Sequence, residues 1–246
     1  MKYWKSWVIA TKDFSIFRKK KRILYTLIIL PLIFSIGLPI IYASTDPAAE
    51  MIVIAGVSIS LLNFYSFFYI ILAYIIPTSL ASYSIISEKN DQSLEPLLAT
   101  PTTDGEILLG KNISSFLPSV VAVYIGSIIF MVLSDAITFN KMGYLFFPNL
   151  TMAIILLLAV PLTSFLSVEL NVIISSKVND VRTAGQLGTL LLIPFIGVFI
   201  LLEANIVTLN IINLFALFTF LFITDVVLFQ ISKATFSGDK IFTKLK

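Results

Sequence analysis

The sequence predicts an all-α membrane protein. Six transmembrane helices follow an N-terminal amphipathic helix, and a short cytoplasmic helix lies between spans two and three. Three observations predict this. Of 246 residues, 58% are hydrophobic and only 13% charged, with a mean hydropathy of +0.98, whereas soluble domains carry about 25% charge. Several apolar runs reach the roughly 20 residues that a helix needs to cross a hydrocarbon core of about 30 Å. Sixteen of the 17 Lys and Arg residues fall on one side of such a layout. The composition argues against a water-soluble enzyme. The chain has no Cys and no His, which removes disulfides, thiol chemistry, histidine bases and the common zinc and haem ligand sets. No metal centre and no nucleic-acid partner are expected.

Residues 1–22 come first. Tyr3, Trp4, Trp7, Ala10, Phe14 and Phe17 recur at spacings of three and four, so a helix gathers them on one face. Lys2, Lys5, Lys12, Lys19 and Lys20 fall on the other. Such a helix lies in the membrane surface, lysines towards anionic headgroups and rings at the acyl boundary. Trp4, Trp7, Phe14 and Phe17 fit an elbow that sets the angle of the first span, and equally a plain surface anchor. The basic stretch is too long for a cleavable signal peptide.

Residues 23–246 read as one six-span domain. The apolar stretches are residues 23–42, within 55–86, 113–133, 150–170, 186–202 and 209–231. Lipid leaves no partner for unpaired backbone groups, so each is expected to be helical. The second stretch is too long for one upright crossing, and its start, through Ser58, Ser60 and Asn63, is expected to be interfacial or tilted. The distribution of Lys and Arg places both termini, and the tail 232–246, in the cytoplasm.

The connection 87–111 is the most informative. Ser93 can cap a short helix with Pro96 in its opening turn and Leu94, Leu97 and Leu98 on one face. Pro101 ends that helix. Thr103 and Glu106 have the spacing of a capping box, which starts the helix leading into span three. The leucines suit either docking into a groove on a soluble partner or packing on the chain's own helix ends.

The run Glu88…Ser93-Leu94-Glu95-Pro96-Leu97-Leu98-Ala99-Thr100-Pro101…Glu106-Ile107-Leu108-Leu109-Gly110-Lys111 resembles the signature of ABC-2 type transporter permeases. The stretch from Ser175 to Ala184, followed by Pro194, resembles that family's link between spans four and five. Ser93 stands where threonine is commoner, and Pro96 stiffens the segment. The resemblance implies a permease half-transporter in a prokaryotic cell membrane, an exporter by the habit of the family. It would pair with a second permease chain around the path. It would dock a separate ABC ATPase subunit through Glu88, Leu94, Glu95, Leu97, Leu98, Pro101, Glu106 and Lys111, with ATP and magnesium held on that partner. The short connection would act as a coupling helix.

Other motifs carry less. Gly105–Asn112 nearly fits a phosphate-binding loop, but Asn112 lacks the hydroxyl required for magnesium and the stretch runs into a span. Asp225 is a possible intramembrane polar site, and an ionisable group there is a functional hypothesis by default. A helix-to-helix contact is the favoured reading, and an ion or substrate role the other. Glu169 is expected to be a solvated helix end pairing with Lys177 or Arg182. The aromatics of span two, among them Tyr65, Phe67, Tyr69 and Tyr74, are expected to pack or to face lipid. A secondary transporter or channel without an ATPase is the alternative function. It would show several mid-membrane charges or an inverted repeat, and Asp225 stands almost alone in the sequence.

Overall fold

The computed structural model describes residues 3–45, 51–54, 57–91, 102–193, 196–197 and 211–235. Seven helices are formed among them. They are α1 (Tyr3–Lys19), α2 (Lys21–Ser44), α3 (Leu61–Asn90), α4 (Asp104–Met142), α5 (Leu150–Lys177), α6 (Val181–Leu190) and α7 (Ile211–Thr235). Among the described residues four of these, α2 to α5, are long and apolar enough to cross a membrane. The sixth expected span coincides with α7. The fifth begins on α6, and most of its remainder lies outside the described residues. The leucine-bearing helix expected at 93–101 also lies outside them.

The start of the second expected span is corrected. Met51–Ile54 and Val57–Ser60 form a two-stranded antiparallel ribbon with Met51 opposite Ser60, and the helix begins only at Leu61. The physical reason is local: Ile52, Val53 and Ile54 precede Ala55-Gly56 and Val57 and Ile59 alternate with serines after it, a pattern that favours a hairpin over a helix.

Elsewhere the helices begin and end where the side chains direct. Thr103 and Glu106 do form a capping box: the Glu106 N–H donates to Thr103 Oγ1 at 3.3 Å, and the Thr103 N–H donates to Glu106 Oε2 at 3.1 Å. Helix α4 then runs unbroken for 39 residues and ends at Gly143, whose φ of 77° lies in the left-handed region. Helix α5 widens to a π turn over Ile155–Ala159, just before Pro161. Proline has no N–H for the preceding turn, and the wider turn re-routes the freed carbonyls. The Tyr124 hydroxyl donates to the Leu156 carbonyl at 2.8 Å.

Helix α3 is the most buried of the spans, with α2, α4, α5 and α6 against it. Its seam with α5 is built from small hydroxyl and amide groups. Thr78 Oγ1 meets Ser167 Oγ at 2.7 Å, Ser164 Oγ donates to the Ala73 carbonyl at 2.8 Å, and Asn171 Nδ2 donates to Ser82 Oγ at 2.8 Å. Lipid tails are as apolar as leucine, so helices in a bilayer are held by such close packing and interhelical hydrogen bonds. A second knot joins α2, α3 and α4: Ser35 Oγ donates to the Gly126 carbonyl at 2.7 Å and lies 3.0 Å from the Tyr69 hydroxyl. The span-two aromatics serve this packing, since Tyr65, Phe67, Tyr69 and Tyr74 are all buried.

Candidate functional site

At the base of the 92–101 connection, three helices meet around a buried group of charges. Helix α1 brings Lys12 and Asp13, α3 brings Ser84 and Glu88, and α4 brings Lys111 and Ser114. The Lys111 ammonium lies 2.6 Å from Glu88 Oε2 and 3.2 Å from Asp13 Oδ2, and donates to the Ser84 carbonyl at 3.1 Å. Ser84 Oγ and Ser114 Oγ donate to Asp13 Oδ2 at 2.7 and 3.0 Å. Lys12 closes the group at 2.8 Å from Glu88 Oε1. Two ammonium groups face two carboxylates, so the formal charge is balanced. That balance is what lets Asp13, Glu88 and Lys111 be almost wholly buried.

Helix α1 reaches this group because α4 presents a glycine to it. A Cβ on Gly110 would stand 2.8 Å from both the Ser6 carbonyl oxygen and the Ile9 Cβ. One turn earlier, Ser6 Oγ donates to the Glu106 carbonyl at 2.9 Å. The buried face of α1 is therefore Ser6, Ile9, Ala10, Asp13 and Phe17. The single apolar face expected from the sequence is corrected: Ala10 and Phe17 turn inward, while Trp4 and Trp7 are 76% and 47% exposed. Ser6 and Asp13 can be buried because each has a partner. Trp7 keeps an edge contact with the half-buried Phe14, ring centroids 6.4 Å apart.

The expected site residues thus separate. Glu88 and Lys111 are brought together across the two ends of the connection, Glu106 is held apart from them by Thr103 and Ser6, and all three are buried within the chain. Leu94, Glu95, Leu97, Leu98 and Pro101 lie outside the described residues. Asp13, Ser84, Gly110 and Ser114 were missed. The available signal was Asp13 itself, the one acid in the strongly basic stretch 1–22, on a helical stripe with Ser6, Ala10 and Phe17.

The residue after Lys111 turns the other way. Asn112 donates its side-chain amide to Glu169 Oε1 of α5, and Ser232 Oγ of α7 donates to the Glu169 carbonyl at 3.3 Å. Glu169 is fully buried, which corrects the expected solvated helix end: α4 and α7 cover it. Asp225, on α7, is 3% exposed.

A cleft of about 1190 Å³ opens between the start of α2, α3 and α6, with Lys20, Lys21, Arg182, Thr78, Gln186 and Ile196 in its lining. Asp180 begins α6, accepting from the Thr183 N–H at 3.0 Å and its hydroxyl at 2.9 Å. The Thr183 backbone and side-chain bonds hold that carboxyl below its usual range. Among the described residues no group of three or more His, Cys, Asp or Glu side chains is gathered closely enough to hold a metal ion.

Compared with known protein families, residues 7–235 match the model described as ABC-2 family transporter protein. No curated protein matches the chain.

Proposed function

From the premise that the chain belongs to the ABC-2 transporter family, we propose that it is the permease subunit of an exporter driven by a separate ABC ATPase. Two permease chains, identical or related, enclose the path in a prokaryotic cell membrane. Each crosses six times with both termini in the cytoplasm. The ATPase holds ATP and magnesium, and this chain carries no catalytic site.

One observation carries this reading. The two ends of the 92–101 connection are tied to each other, Glu88 to Lys111, and both to α1. A push on the connection therefore reaches α1, α3 and α4 together. In this reading Leu94, Glu95, Leu97, Leu98 and Pro101 touch the ATPase. Glu88, Glu106 and Lys111 set the ends of the segment from inside. Closure of the ATPase subunits then tilts the spans as rigid bodies.

The test is capture of a co-expressed ABC ATPase subunit on the tagged full chain in membranes. Wild type is expected to retain it, and Leu97→Asp with Leu98→Asp to lose it while still inserting. Retention by the double variant would overturn the coupling role. The alternative of a transporter that needs no ATPase is favoured by one finding only, a second buried carboxyl, Glu169 on α5, in addition to Asp225 on α7. Solute flux through the chain alone, without nucleotide, would select it.

A further inference from the structure

We propose that Glu169, Asp225 and Asn112 form a site for one hard metal cation between α4, α5 and α7. Glu169 is fully buried and Asp225 is 3% exposed, on helices α5 and α7 that pack together and are joined where Ser232 Oγ donates to the Glu169 carbonyl at 3.3 Å. No Lys or Arg among the described residues forms an ion pair with either. The contrast with the neighbouring group is direct: Asp13 and Glu88 are matched by Lys12 and Lys111, whereas these two carboxyls have no basic partner among the described residues. Buried charges in a protein are paired or ligate metal, and carboxylates in membrane spans mark ion or proton sites.

A second observation points to a ligand. Asn112 is 1% exposed, and its amide nitrogen is fixed on Glu169 Oε1. Its oxygen, carried on the same amide group, has no donor among the described residues. Glu169 Oε2 and Asp225 Oδ1 also lack one. Three buried oxygens from three helices thus lack a positive partner, and Ser115, one turn along α4, adds a buried hydroxyl in the same condition. A set made only of oxygens selects hard cations such as sodium, magnesium or calcium. A divalent ion would balance both carboxyls as they give up their protons to bind it. The site is independent of the ATPase reading, because it is read on the chain alone.

The experiment uses the purified full chain in nanodiscs, with calcium, magnesium, sodium and potassium titrated separately. Direct binding and the thermal unfolding midpoint are both followed. At least one cation is expected to bind saturably, one per chain, and to raise the midpoint. Glu169→Gln and Asp225→Asn are each expected to weaken binding by about ten-fold or more, and Asp91→Asn, at an exposed carboxyl, to leave it unchanged. Wild type that binds none of the four overturns the proposal whether or not the variants fold, and so does a pair that exchanges protons only. Equal binding by wild type and folded variants overturns it as well.

Discussion

Lys111 is the residue on which the base of the connection turns. Replacing it with Met keeps most of the stem but leaves Asp13 and Glu88 buried with only Lys12 beside them. Breaking a buried ion pair from one side costs about 3–5 kcal/mol. Lys111→Met is therefore expected to lower the thermal unfolding midpoint in detergent, and adding Asp13→Asn to recover part of the loss. An unchanged midpoint would mean that the group is not a structural tie. The sequence showed Glu88 and Lys111 as members of a motif but not as partners, because pairing across 23 positions follows from the packing of α3 on α4. Asp13 was hidden for a different reason: an acid among lysines resembles a solvated face until a third helix covers it. Glu169 misled for the converse reason, since Lys177 and Arg182 are near in sequence while its real partner, Asn112, is on another helix.

At the scale of elements, the crossing of α1 on α4 depends on Gly110. The nearest atoms to an added Cβ include the Ser6 backbone oxygen, which cannot swing away as a side-chain tip can. Gly110→Ala is expected to push α1 outward, stretch the Ser6–Glu106 and Asp13–Lys111 contacts, and cost about 1–3 kcal/mol. Trypsin should then cut at the α1 lysines faster than in wild type; equal rates would mean that α1 does not dock there. The long helices α2 to α5 were legible from hydropathy, because the bilayer leaves an apolar chain few alternatives. The capping box of α4 was legible too, since its two residues are three apart and need nothing distant. The ribbon of Met51–Ile54 and Val57–Ser60 was not read, although its β-branched residues were visible, because a long apolar window merges them with α3. The α3–α5 seam was also invisible: Ser, Thr and Asn in a span do not announce which helix they face.

For the whole molecule, the helical bundle carries two polar centres side by side, reached from the consecutive residues Lys111 and Asn112 at the entry of α4. One ties α1, α3 and α4 with balanced charge, and the other joins α4, α5 and α7 through Asn112, Glu169 and Ser232. Movement of the connection before α4 would therefore be felt in both. The chain has no cysteine, so a single thiol reports on one position without background. The most direct measurement is the rate of maleimide labelling of Leu97→Cys in membranes, with and without a co-expressed ABC ATPase subunit. Labelling is expected to be slowed when the ATPase is present and to change again on addition of ATP. The same rate under all three conditions would contradict the proposal that the motor grips this chain through that segment.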